Sequence, residues 1–219
     1  MVLDWLGGMS VDEFRARFLR IAPAAQPGTA LAARSLFDWR VLDRVLRASA
    51  DVLVVSRGEL LSRPPPRTLH ELADYLVEGI GLCIRHAERH DAGLAGVAAA
   101  FAPLGAAHVQ LFVTPAGTHG FGWHYDDEDV FIAQTTGMKD YYFRANTVSD
   151  CPANPTRFSR FHAESSPLCT ATLVAGDFLY LPSRWWHMAI CHQDALSISV
   201  GVTLREPEHG AAQSPWSSR

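Results

Sequence analysis

Three residues of this chain have the types and spacing of a metal site. His124 and Asp126 stand two apart in FGWHYD. On a β-strand, residues i and i+2 leave the same face, so an imidazole nitrogen and a carboxylate oxygen there can meet one ion. His187 comes sixty-three positions later, in GDFLYLPSRWWHMAI, after a strand-like run and a turn at Pro182-Ser183. Two imidazoles and a carboxylate on one side of a metal leave the opposite positions open for other ligands. By itself the H-x-D pair reads more readily as a surface or hydrogen-bonding feature, and the distant histidine makes the set specific.

Fifteen positions after His124 stands Lys139, the only lysine in the chain; the other Lys/Arg positions are all arginine. The open-sided donor set is that of non-haem Fe(II) oxygenases. If 2-oxoglutarate chelates such a metal through its 2-oxo acid end, its far carboxylate lies deeper in the fold, where a buried cation must neutralise it. A lysine on the strand after His-x-Asp can do that, the alternative being a solvated lysine at a strand edge.

The elements that must position these residues fall into two halves. Ser10 with Glu13 has the form of a capping box and predicts a helix over 11–20. Leu42, Val45 and Leu46 predict a second helix within 37–48, and DVLVVS at 51–56 a strand. Pro64-Pro65-Pro66 is an extended connector. Thr68 with Glu71 opens a third helix, and the alanine-rich stretch 86–101 reads as a fourth. From His108 on, HVQLFVT, FGWHYD, VFIAQT, MKDYYF, ATLV, DFLYLP, WWHMAI and ALSISVGVTL read as short strands between Gly, Pro, Asn and Asp punctuation. Eight such runs in about a hundred residues predict a mainly β fold, a double-stranded β-helix (jelly roll, cupin), with an N-terminal helical segment packed outside it. In such a roll strands distant in sequence become neighbours, which brings His187 beside His124 and Asp126. The expected layout is a mainly helical segment 1–104, a core 105–205 and a flexible tail 206–219, in a single domain. The polar insert 148–167 is a functional or mobile loop.

Composition narrows the function classes. With 219 residues, 48% of them hydrophobic and 19% charged, the chain has material for one sizeable core. A net charge of −4 and scattered arginines argue against a nucleic-acid partner. No apolar run reaches the ~18 residues of a membrane span, and MVLDWLGGMS lacks a signal peptide's basic start, so a cytoplasmic location without membrane association is expected. Cys83, Cys151, Cys169 and Cys191 form no C-x-x-C pair and read as reduced thiols.

From about Ile80 to Val202, and above all in HYDDEDVFIAQTTGMKDYYF and GDFLYLPSRWWHMAI, the chain resembles the jumonji-C (JmjC) group of cupin-fold oxygenases, nearest to the ribosomal-oxygenase branch. The resemblance implies Fe(II) held by His124, Asp126 and His187, 2-oxoglutarate as co-substrate with its carboxylate on Lys139, and dioxygen as oxidant. It implies hydroxylation of a protein, peptide or peptide-like substrate, with 2-oxoglutarate converted to succinate. Gln110 stands where ribosomal oxygenases carry an asparagine near the co-substrate, and Phe112 where they carry tyrosine. The asparagine that the related asparaginyl hydroxylase places on its last core strand is matched by Gly201, leaving Ser197 and Ser199, on the same face by period two, as further co-substrate contacts. Ribosomal oxygenases continue into a helical dimerisation region and a winged helix, whereas this chain ends soon after its last expected strand, which keeps a smaller peptide or a small biosynthetic intermediate open as substrate. A cupin using the same ligands with Zn or Mn for another reaction, or a non-catalytic binding module, are the competing classes.

Around the ligands, Trp123, Tyr125, Trp185 and Trp186 are expected to pack. Arg184, Arg144 and the loop from Arg157 to Arg160 are candidate substrate contacts. His119 and His192 are expected at the surface.

Overall fold

The computed structural model describes residues 2–48, 50–148 and 161–204, so that Cys151, Arg157, Arg160 and the tail 206–219 lie outside the described residues. In chain order the elements are α1 (Val2–Trp5), α2 (Val11–Arg17), β1 (Ala24–Gln26), α3 (Ala33–Leu36), α4 (Trp39–Arg47), β2 (Asp51–Ser56), β3 (Glu59–Leu60), α5 (Leu69–Val77), β4 (Gly81–Arg85), a 3-10 turn (Ala87–Arg89), α6 (Ala92–Phe101), β5 (Gly105–Thr114), β6 (Asp129–Thr136), β7 (Met138–Arg144), β8 (Cys169–Val174), β9 (Phe178–Leu181), β10 (Trp186–Cys191) and β11 (Ala195–Leu204). None of the helices among them is long and apolar enough to cross a membrane.

Side-chain caps start four of the helices. Ser10 accepts from the Glu13 N–H, Thr68 from Glu71, and Asp38 and Asp91 each accept two amides of the turn that follows. Each cap satisfies donors that a helix leaves without an internal partner. The helix expected from 86 starts only at Ala92, because His86 sits in the left-handed region (φ 52°) and ends β4 instead.

Among the described residues two antiparallel sheets form. One has the order β1-β9-β6-β11-β5-β4-β2-β3 and the other the order β10-β7-β8. They face each other as the jelly roll that the strand pattern predicts. Residues 1–104 are less purely helical than expected, since β1, β2, β3 and β4 all extend the larger sheet. At Gly137 (φ 75°) the chain passes from β6 in one sheet to β7 in the other; a Cβ there would stand 2.5 Å from the Asp194 carbonyl oxygen.

The larger sheet is buried on both faces, which explains why β6 and β11 are almost continuously buried. One face carries Val109, Leu111, Phe131, Ile198 and Val200 against Trp5, Phe14 and Phe101 of the helical layer. Aromatic rings dominate there, with Phe101 and Phe131 at 4.8 Å between centroids and Phe14 and Tyr180 at 4.9 Å. The opposite face looks into the roll, where Val130, Ile132 and Leu179 meet Tyr141, Phe143 and Leu173 of the smaller sheet. The alternation along β5 and β11 thus turns Gln110, Phe112, Ser197 and Ser199 inward, toward a cleft between the sheets.

Candidate metal centre

The segment FGWHYD is not the strand that its composition predicts. It makes a single bridge to β10, in which the His124 N–H donates to the His187 carbonyl (3.1 Å) and the His187 N–H returns a bond to His124 (2.8 Å). That pair sets the two rings side by side, with centroids 4.2 Å apart. A second set of bonds ties the same segment to the turn before β10. The Arg184 N–H donates to the Asp126 carbonyl (2.6 Å), and the Ser183 hydroxyl to the Asp127 carbonyl (2.8 Å). Arg184, in the left-handed region at φ 66°, makes this turn possible.

The side chains complete the arrangement. His124 Nδ1 lies 2.7 Å from the Gly122 carbonyl and His187 Nδ1 2.9 Å from the Trp185 carbonyl. A carbonyl only accepts, so each Nδ1 carries its proton and each Nε2 keeps a lone pair for a metal. His187 Nε2 is 3.5 Å from Asp126 Oδ2, and the ligand atoms of His124, Asp126 and His187 all lie within 4.8 Å of one another. Burial, with His124 nearby, pushes the His187 pKa down to about 4, which keeps its ring neutral as a ligand must be. Among the described residues no other group of three His, Cys, Asp or Glu converges in this way. The donor set fits a metal that accepts nitrogen and oxygen ligands on one side.

Lys139, 3% exposed, lines the same cleft from β7, and its Nζ donates to the Ser197 hydroxyl at 2.9 Å. Burial depresses its pKa, so the site is poised to gain from an anion. Gln110 lines the cleft with Nε2 3.0 Å from His108 Nε2, and its Oε1 accepts from Cys83 Sγ at 3.4 Å. Ser199 and Phe112 line it as well. Three lining residues with polar side chains, Thr114, Glu128 and Tyr141, were not marked out by the sequence. Tyr141 was within reach of it, being two residues from Lys139 on the same face of β7.

The other residues singled out by sequence serve elsewhere. Tyr125 packs edge-on against Trp186, and Trp123 stacks on Phe161 at 4.1 Å. Arg144 donates to the Ser166 carbonyl and hydroxyl and covers the Phe161 ring, so it braces the C-terminal part of the insert 148–167. His192 bonds Asp140 at 2.6 Å, away from the ligands, and His119 Nδ1 is buried with no hydrogen-bond partner among the described residues.

A family model described as the JmjC domain matches residues 88–209. The chain belongs to the JmjC family. Among this domain's relatives are a bifunctional lysine-specific demethylase and histidyl-hydroxylase NO66 of Dictyostelium discoideum, 36% identical over 95 residues (42% of this chain, 18% of the relative), and ribosomal oxygenase 1 of Gallus gallus, 35% identical over 99 residues (44% and 16%). Its fold matches that of YcfD, a ribosomal oxygenase of Escherichia coli solved with cobalt and 2-oxoglutarate, with a TM-score of 0.64 and 21% identity, over 92% of this chain and 53% of that one. This JmjC chain thus spans about half the length of YcfD and under a fifth of those two relatives.

Proposed function

We propose that this JmjC chain is an Fe(II)- and 2-oxoglutarate-dependent oxygenase that hydroxylates a side chain of a protein or peptide. His124, Asp126 and His187 are its metal ligands, and Lys139 is the partner of the co-substrate's far carboxylate. The observation that carries this reading is that one cleft holds both the converging donor atoms and a buried ammonium group. When bound, the iron, with 2-oxoglutarate and dioxygen, supplies the oxidation, 2-oxoglutarate leaving as succinate and carbon dioxide.

The chain's own residues hold and orient. The Gly122 and Trp185 carbonyls fix the tautomer and plane of the two histidines. Ser197 holds the Lys139 ammonium at its hydroxyl, where a carboxylate entering the cleft gains a charge-assisted hydrogen bond in a dry setting. Val130, Ile132 and Phe112 line the space between, excluding water from the reacting centre. That the relatives are a lysine-specific demethylase and histidyl-hydroxylase and a ribosomal oxygenase supports a protein side chain as target. A cytoplasmic location without a nucleic-acid partner belongs to the same reading, supported by the net charge of −4.

Succinate release from Fe(II)-loaded protein, together with a search of treated peptides for a gain of one oxygen, tests the proposal. Release above background that is lost in His187→Ala, and that needs far more 2-oxoglutarate in Lys139→Ala, is expected. No release, with iron still bound normally by His187→Ala, overturns it.

A further inference from the structure

The open end of the cleft carries a charge that neither metal nor co-substrate uses. Glu128 stands two residues beyond Asp126, lines the same cleft and has a side chain 19% exposed. Its position depends on Gly201, which β11 places opposite His108 of β5 and Val130 of β6. A Cβ on Gly201 would lie 2.4 Å from the Glu128 carboxyl carbon and 2.4 and 2.6 Å from its two oxygens, closer than real contacts allow. The carboxylate therefore occupies the space where any other residue would have a side chain. His108 Nε2, 3.3 Å from Oε1, braces it from one side, while among the described residues Oε2 makes no hydrogen bond. Glu88, which accepts from the Val109 N–H, adds a second negative charge behind His108. Among the described residues, no lysine or arginine apart from Lys139 lines the cleft.

An anionic or purely apolar target placed beside Glu128 would strip water from a carboxylate and give nothing back. A target with N–H groups would replace that water with charge-assisted hydrogen bonds. Resting on the oxygenase reading above, we infer that Glu128, seated in the space left by Gly201, selects the side chain to be oxidised and favours one that presents N–H donors. Positive charge on the target adds to the preference. With Asp126 committed to the metal and Lys139 to the co-substrate in that reading, Glu128 is, among the described lining residues, the charged carboxylate left to read the substrate.

The test is calorimetric titration of the protein loaded with Zn(II) and 2-oxoglutarate, which does not turn over. The probes are four peptides identical except for a central arginine, citrulline, lysine or norleucine. The arginine, citrulline and lysine peptides bind tighter than norleucine, by roughly tenfold or more for a hydrogen bond to a charged group. Arginine against citrulline separates charge from N–H donation. Glu128→Gln collapses the lysine-to-norleucine ratio. Gly201→Ala, whose methyl pushes the carboxylate aside, lowers it in the same direction, and Glu128→Asp restores part of it. Equal or absent binding of the four peptides to the wild type, or a ratio indifferent to both Glu128→Gln and Gly201→Ala, overturns the role of Glu128. Succinate release from the Fe(II)-loaded wild type, measured with and without the peptides, keeps the two readings apart. No release under either condition, with iron still bound normally by His187→Ala, sinks the oxygenase, and release with an indifferent ratio sinks only the selectivity of Glu128.

Discussion

The two ends of the cleft are held by different means. At the closed end Lys139 sits in a regular ladder, paired with Cys191 on one side and Leu173 on the other, so the backbone of three strands fixes where its ammonium goes. At the other end His187 stands on β10, but the other two proposed ligands, His124 and Asp126, come from a segment joined to β10 by a single bridge and a few cross-loop bonds. Asp129 is the deepest of these anchors. Wholly buried, it accepts from the Tyr180 hydroxyl (2.5 Å), the Ser183 N–H and Arg20 Nε (3.3 Å each), tying the metal segment to the turn before β10 and to the chain after α2. A ladder places one charge rigidly, whereas an irregular segment set against a strand can aim ligands from different directions at one point, at the cost of depending on a few bonds.

Changes at each end should therefore fail in different ways. The largest effect is expected from His187→Ala, which removes a ligand and should weaken Fe(II) binding by more than the roughly 10–100-fold that loss of a ligand's outer partner costs. Iron titration reads it, and near-normal iron uptake by the variant would break the comparison at once. Lys139→Ala should leave iron binding largely in place but strand the co-substrate's carboxylate, a loss of about 3–5 kcal/mol seen as a rise of at least about 100-fold in the KM for 2-oxoglutarate. Asp129→Asn, which weakens a buried hydrogen-bonded anchor, should cost about 1–3 kcal/mol in thermal or urea unfolding. It should also loosen metal binding more than co-substrate binding, and an equal effect on both would show that the two ends are not mechanically separate. The smallest effect concerns pH. Burial lowers the folded-state pKa of Lys139 below its ordinary 10.5, so the unfolded chain binds more protons in the window just below that value. Without co-substrate, the stability of the wild type relative to Lys139→Met should accordingly rise as pH climbs toward 10.5. Urea midpoints across that range check the sign, and saturating 2-oxoglutarate should flatten the trend by holding the ammonium charged.

The closed end was more legible in the sequence than the open one. A lone lysine inside MKDYYF, flanked by alternating apolar residues, announces both its strand and its inward face, and β7 forms over Met138–Arg144 as that pattern predicts. FGWHYD has the composition of a strand but is drawn off into a loop, because the cross-loop bonds to 183–187 take the place of a ladder. Strand β4 was hidden between two helical patterns, since nothing local marks the left-handed turn at His86 that ends it. Strand β1, three residues long, is too short to leave any periodicity.

By itself the sequence determined the jelly roll, the helical layer and the chemical inventory of H-x-D, a distant histidine and one lysine, because hydrophobic period, capping residues and rare residue types are local properties. Tertiary structure alone decided that the donor atoms of His124, Asp126 and His187 lie within 4.8 Å of one another, and that Glu128 fills the space over Gly201. The first depends on backbone bonds between segments far apart in the chain. The second depends on a side chain that a glycine does not have, and an absence of that kind becomes visible only once a neighbouring strand has folded against it.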